Sequence, residues 1–275
     1  MPRFYPNWCL VVDARHPFFA AARPLVFAHR GGSTLAPENT VAAFDKGLSL
    51  GADGLELDVR LSRDGVVVVH HDASLDRTTD AHGDVSALTA AELSRVDAGY
   101  RFKRDGAYPF RGQGIAVPAL ADVLARYRDV RIVVELKLNT ADLAAAAVEV
   151  VRRARAVDRV CVGSFGRRVL RAVRALEPAL ATSAAREEVR WALYRSWSRW
   201  PLRRPAYAGF QIPEWSGSTR LVSRRFVDAA HRAGLGVQVW TVDTEDHARR
   251  LLACGVDALI TDRPDVIGTL VKQGF

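Results

Sequence analysis

Short runs rich in Val, Leu, Ile and Ala alternate along this chain with longer stretches in which apolar residues recur every three to four positions. The alternation is that of repeated βα units, in which each strand is buried on both faces and each helix presents one apolar stripe. Leu25-Val-Phe-Ala-His29 reads as the first strand, followed by a helix beginning near Glu38, and Asp53–Val59 reads as the second strand. Further strands are predicted at Arg131–Glu135, Arg159–Gly163, Ala179–Ser183, Ala206–Ile212, Gly236–Val242 and Val256–Thr261. Helical periodicity covers Ala141–Ala156, Arg167–Leu176, Arg224–Ala233 and Glu245–Cys254. Eight strands in 275 residues, most with a following helix, fit a (β/α)₈ TIM barrel, which typically needs about 250. A doubly wound sheet is the competing fold, but no Gly-rich phosphate loop follows the first strand.

One segment breaks the alternation. Asp64-Gly65 is a turn signal between two β-rich runs, so the second strand is expected to rise past the barrel rim and return as a hairpin. With Arg63 and Asp64 as the loop, Val59 would face Val68 and Glu56 would face His71. Residues 73–117 contain no clear barrel unit and read as a small inserted cap on the same face. Residues 25–272 are then the barrel domain, and residues 1–24 an extension packing against it.

Composition leaves this picture intact: 49% hydrophobic and 25% charged residues, with 20 Gly and 12 Pro, are the proportions of a globular protein. Lys plus Arg outnumber Asp plus Glu by 39 to 31, a formal charge of +8, which suits anionic partners without choosing among them. Cys9, Cys161 and Cys254 are isolated and odd in number, so neither a disulfide framework nor a metal motif is expected and the setting is reducing. The apolar patch at Trp8–Val12 is broken by Asp13, Arg15 and His16, and no apolar run reaches the roughly 18 residues of a membrane span. A cytoplasmic location follows as the expectation.

Acidic residues within strands carry the strongest chemical signal. Glu56 and Asp58 are two apart and share one strand face, and Glu135 and Lys137 repeat the spacing at the end of the next barrel strand. Three carboxylates brought together cost several kcal/mol per unpaired charge. An oxygen-rich set of this kind suits a hard divalent cation, Mg²⁺ or Ca²⁺. Pairing to arginine is the alternative for any one of them. His29 ends the first strand and His71 ends the returning hairpin, where barrel active sites gather. Two imidazoles there suit general acid and base work. Arg30 and Lys137 add donors for phosphate. Three carboxylates, a divalent cation, these two cations and one phosphodiester anion balance to neutrality, whereas a phosphomonoester dianion leaves an excess of negative charge.

The ordered motifs His29-Arg-Gly-Gly32, Pro37-Glu-Asn-Thr40, Glu56-Leu-Asp58, His71-Asp72 and Glu135-Leu-Lys137 resemble those of the glycerophosphodiester phosphodiesterases. Ser164-Phe165, Trp240-Thr-Val242 and Thr261-Asp262 fit the same pattern, so the resemblance runs over about residues 25–270. It implies a TIM barrel that hydrolyses glycerophosphodiesters to glycerol 3-phosphate and an alcohol. It further implies that His29 and His71 are the acid–base pair and that Glu56, Asp58 and Glu135 hold the divalent metal. Arg30 and Lys137 would bind phosphate, with Trp240 and Phe165 lining the substrate site, though core packing accounts equally well for either aromatic. Glu38 is expected to orient Arg30, and Asp262 before Arg263-Pro264 reads most simply as a helix N-cap.

The segment 186–204 departs from the pattern, with Trp191, Tyr194, Trp197 and Trp200 among several arginines. At helical spacing Val189, Leu193, Trp197 and Trp200 form the stripe that would cover the barrel, leaving Trp191 and Tyr194 outside it. Ordinary packing beneath Arg203-Arg204-Pro205 is one reading; a peripheral contact with an anionic membrane, on its inner face, is the other. The second would admit lysophospholipids as substrates of a lysophospholipase D or a lyase. A non-catalytic lipid- or phosphate-binding barrel would be expected to lack one of the catalytic groups. Nucleic acid is not an expected partner, because carboxylates without metal repel a phosphate backbone.

Overall fold

The computed structural model describes residues 15–202 and 205–274. Its main sheet contains strands β1 (Leu25–His29), β2 (Gly54–Leu61), β3 (Val67–Val69), β4 (Arg131–Leu136), β5 (Val160–Gly163), β6 (Ala181–Thr182) and β7 (Gly209–Ile212). A small separate hairpin, β8 (Trp215–Ser216) and β9 (Thr219–Arg220), follows, and β10 (Gly236–Val239) and β11 (Ala258–Thr261) complete the main sheet. Eight of these strands run in parallel in the order β6-β5-β4-β2-β1-β11-β10-β7. The two ends of that order meet through a parallel bridge between Ser183 and Gly209. The Ala208 N–H donates to Thr182 O at 2.8 Å and the Ala184 N–H to Gly209 O at 2.9 Å, so the barrel is nearly closed.

A helix follows each parallel strand: α1 (Val41–Ser49), α3 (Leu120–Arg126), α4 (Ala141–Arg153), α5 (Arg167–Leu176), α6 (Arg186–Trp197), α7 (Arg224–Arg232), α8 (Glu245–Ala253) and α9 (Pro264–Lys272). The short α2 (Ala90–Leu93) belongs to the insertion before α3. Helix α4 illustrates the local logic. Thr140 caps its first turn, and Leu143, Ala144, Ala147, Val148 and Val151 recur on the stripe buried against the barrel. Helix α1 starts at Val41 with Thr40 as its cap, three residues later than the sequence suggested, so Glu38 lies in the loop before it.

Along β2, Leu55, Leu57 and Val59 point outward into the helix layer, which turns Glu56 and Asp58 to the barrel interior. The floor of that interior is filled by Phe18 and Phe19 together with Phe27, Val133, Cys161 and Ile260. A Cβ added at Gly209 or Gly236 would approach the Phe19 ring to 2.6 or 2.3 Å, which is why both strands begin with glycine. Residues 1–14 of the expected N-terminal extension, Cys9 among them, lie outside the described residues.

The hairpin forms, with its register one residue from the expected one. Val59 pairs with Val69 rather than Val68, because the loop holds three residues and Gly65 adopts φ 77°. β3 therefore ends at Val69, and it is the bend after it that carries His71 toward the barrel mouth. The insertion beyond has a small core of its own: Val68, Leu75, Val85, Leu93, Val96, Ala98 and Val117.

Helix α6 corrects a second expectation. Its buried face is Val189, Ala192, Leu193 and Ser196, while Trp197 is 48% and Trp200 66% exposed. The helix ends at Trp197 and Arg199 takes φ 58°, so Trp200 no longer follows helical spacing. Arg203 and Arg204, beneath which the helix was expected to pack, lie outside the described residues.

Candidate active site

At the carboxyl ends of β1, β2 and β4 a cavity of about 830 Å³ opens, with His29, Arg30, Glu56, His71, Glu135 and Lys137 in its wall. Carboxylate oxygens of Glu56, Asp58 and Glu135 lie within 4.8 Å of one another. Asp58 is fully enclosed and is fixed by Asn39, whose Nδ2 donates to Asp58 Oδ2 at 2.9 Å while its Oδ1 accepts the Asp58 N–H at 3.1 Å. Asn39 reaches this position from φ 59°, and Arg30, whose carbonyl accepts the Asn39 N–H, from φ 50°. Two non-glycine residues held in the left-handed region mark a loop shaped by its site.

The cations interleave with the acids. Lys137 Nζ lies 3.0 Å from Asp58 Oδ1 and 3.2 Å from Glu135 Oε1. Arg30 places Nη1 3.0 Å from Glu38 Oε1 and Nε 3.1 Å from Asp58 Oδ2, and its backbone N–H donates to Glu56 Oε2 at 3.1 Å. This neutralisation is incomplete. Burial, and then the neighbouring Asp58 charge, push the Glu56 carboxyl up to about 8. Burial also raises Glu135, whereas Lys137 and Arg30 overcome burial at Asp58 and lower it.

Each histidine is anchored through Nδ1 to its own carboxylate. His29 Nδ1 lies 2.8 Å from Asp262 Oδ1, and His71 Nδ1 lies 2.6 Å from Asp72 Oδ1. Carboxylates only accept, so Nδ1 carries the proton in both rings and Nε2 is left for chemistry. His29 Nε2 is 3.8 Å from Glu56 Oε2. Burial alone would lower the His29 imidazole; Glu56 and Asp262 outweigh it and raise it to about 9. Arg77 ties the two halves together, since it bonds Asp72 and also donates two 2.7 Å hydrogen bonds to Glu38, the partner of Arg30.

The structure thus brings His29, His71, Glu56, Asp58, Glu135, Arg30, Lys137 and Glu38 to one end of the barrel. Phe165 and Trp240 meet edge to face at 6.1 Å on the cavity wall beyond them. Asp262 is not a helix cap: Arg263 occupies that position, and the Asp262 side chain holds His29 and the Ser33 hydroxyl. Asp72, Asn39 and Arg77 were also not assigned from the sequence. Asp72 and Asn39 sit inside motifs that could have flagged them; Arg77 carries no such signal.

Acidic residues, imidazoles and cations gathered at the carboxyl end of a parallel (β/α)₈ barrel define an enzyme site for an anionic ester. The chain belongs to the glycerophosphoryl diester phosphodiesterase family, whose model matches residues 29–266, and so to the phosphoric diester hydrolases. It is 32% identical over 262 residues to a glycerophosphodiester phosphodiesterase of Caldanaerobacter subterraneus subsp. tengcongensis, covering 92% of this chain and 99% of the relative. The glycerophosphoryl diester phosphodiesterase domain of a Mycobacterium tuberculosis protein superposes with a TM-score of 0.79 at 26% identity, covering 91% of this chain and 99% of that one. An Oleispira antarctica phosphodiesterase, solved with its product sn-glycerol-3-phosphate, gives a TM-score of 0.74 at 28% identity over 91% of this chain and 97% of that one. Among the described residues no helix is long and apolar enough to cross a membrane.

Proposed function

We propose that the chain hydrolyses glycerophosphodiesters to glycerol 3-phosphate and an alcohol in a metal-dependent reaction, with His29 and His71 exchanging the protons. The observation that carries this reading is the pair of Nδ1-anchored imidazoles beside three converging carboxylates. Those carboxylates fit a divalent cation: the donors are all oxygens within 4.8 Å of one another, and burial beside Asp58 pushes the Glu56 carboxyl up to about 8, a repulsion that added positive charge relieves. Glu56, Asp58 and Glu135 would hold Mg²⁺ or Ca²⁺, which when bound supplies Lewis-acid polarisation of the phosphoryl oxygen.

Arg30 and Lys137 bind the non-bridging oxygens and offset the charge that develops on them. One imidazole Nε2 takes the proton of the nucleophile, either water or the neighbouring glycerol hydroxyl, and the other gives a proton to the leaving oxygen. Asp262 and Asp72 keep each ring in the required tautomer, and Glu38 orients Arg30. Trp240 and Phe165 flank the glycerol. Residues 73–117 act as a cap on the barrel domain, 25–272, and residues 15–24, the described part of the N-terminal extension, pack on it through Phe18 and Phe19. The exposed Trp191, Tyr194, Trp197 and Trp200, with Arg190 and Arg199 beside them, form a face for peripheral contact with an anionic membrane.

The test is choline release from glycerophosphocholine by the wild type, His29→Ala, His71→Ala and Glu56→Gln. Each histidine variant should lose about 10²–10⁴ in kcat, the usual worth of one acid–base group. Retention of wild-type turnover by either would remove the assignment.

A further inference from the structure

The cavity does not end at the carboxylates. It continues along α6 toward the β8–β9 hairpin, with Leu193, Tyr194 and Trp197 on one wall and Ile212, Pro213 and Leu221 on the other. Its total volume of about 830 Å³ is near the top of the ~300–1,000 Å³ that small-molecule sites occupy. Glycerol, a phosphate and a small alcohol find their partners among the polar groups at one end. Alongside Arg190, Ser216 and Thr219, the extension offers a continuous hydrocarbon-binding surface of Leu193, Tyr194, Trp197, Ile212, Pro213 and Leu221.

The outer edge of this extension is aromatic. Trp191 is 68% and Tyr194 51% exposed, and with Trp197 they form a ladder of edge-to-face contacts at 6.4 and 5.6 Å. Adjoining large apolar rings left in water mark an interaction surface. Arg186 and Arg190, on the same helix and in the same cavity wall, add positive charge between the ladder and the catalytic end. Amphipathic rings beside arginine suit a lipid–water boundary. The facing lip is held in place: the buried Glu214 carboxylate lies 3.0 Å from Arg220 of β9 and 2.9 Å from His247 of α8. A preformed groove loses little entropy when it is filled.

We infer that the extension takes the hydrocarbon chain of a monoacyl glycerophosphodiester, a lysophospholipid, whose phosphodiester lies at the Glu56, Asp58 and Glu135 end. This rests on the phosphodiesterase reading of the same site and names the substrate class beyond it. The water oxygen bonds to phosphorus as the bond to the head-group oxygen breaks. One water proton passes to the departing alcohol and the other stays with the monoester product, a monoacylglycerol 3-phosphate.

The experiment compares choline release from glycerophosphocholine with release from lysophosphatidylcholines of six to twelve carbons, each below its micelle concentration. Wild type should gain about twofold to fourfold in kcat/KM per added methylene until the groove is full, the worth of burying that group. Trp197→Glu should lose at least about tenfold of this gain on the longest chain. Its glycerophosphocholine turnover should stay close to wild type. Calorimetric titration with decylphosphocholine reads the groove without catalysis, and heat of binding should appear in wild type and vanish in Trp197→Glu. Flat rates across chain length, or an equal loss on both substrates in Trp197→Glu, would overturn the inference while choline release from glycerophosphocholine keeps the phosphodiesterase reading. Absence of choline release from every substrate would instead remove that reading, and absence of decylphosphocholine binding the groove.

Discussion

Asp262 is the most informative residue to change, because it touches His29 and nothing proposed to hold the metal. Its Oδ1 sits 2.8 Å from His29 Nδ1 in a largely buried setting, where a hydrogen bond to a charged group is worth about 1.5–3 kcal/mol. Asp262→Ala removes that energy from the imidazolium and frees the ring to turn. The corresponding loss in kcat is about 10- to 150-fold. KM should stay nearly constant, since no substrate contact is removed. Asp262 and Glu56 together raise His29 to about 9 against the opposing effect of burial. Loss of Asp262 stabilises the neutral ring, so the limb of the kcat profile that reports His29 moves about 1–2 units toward acid. Asp262→Asn keeps the shape without the charge and should recover about half of the lost free energy. Steady-state choline release between weakly acid and strongly alkaline pH provides the measurement. Unchanged kcat in Asp262→Ala, or a fall in kcat with an unmoved pH profile, would refute the positioning role.

Arg30→Lys should raise KM about tenfold or more, because an ammonium cannot reach Glu38, Asp58 and a phosphate oxygen together; an unchanged KM would exclude Arg30 from phosphate binding. In EDTA the melting temperature should fall as pH rises from about 5 to 8. Burial and Asp58 raise Glu56 from 4.5 to about 8, so the folded state keeps a proton the unfolded chain has released, and that stabilisation is lost through the window. Glu56→Gln or saturating Mg²⁺ should reduce the slope, most clearly below about pH 6.5 where the raised His29 does not yet contribute, and an unaltered slope there in Glu56→Gln would contradict the assignment. Phe19→Ala should cost about 3–5 kcal/mol in urea unfolding by emptying the floor above Gly209 and Gly236, with kcat little changed; a loss below about 1 kcal/mol would mean the floor collapses around the gap.

Much of this arrangement is legible in the chain itself. The strand periodicity placed His29, Glu56, Asp58 and Glu135 on the carboxyl ends of barrel strands, because alternation of side chains fixes which carboxylates share a face. The limits were local and physical. Gly65 in a left-handed conformation lengthens the hairpin loop by one residue and shifts the register, which an Asp-Gly pair does not reveal. Asp262 stands just before a helix and reads as its cap, yet the β1–β11 pairing carries it to His29. Arg77 is 39 positions from Glu38 in the chain, and only the folded insertion brings them together. Trp197 and Trp200 look buried at helical spacing but lie where α6 ends.

The most direct measurement of the central claim is phosphorus NMR of the wild-type protein with glycerophosphocholine. Spectra would be taken with Mg²⁺, with Ca²⁺, and after EDTA. Glycerol 3-phosphate should accumulate with at least one of the two ions, cease with EDTA, and return when the ion is restored. Undiminished product in EDTA, with Glu56→Gln as active as wild type, would contradict a metal held by Glu56, Asp58 and Glu135.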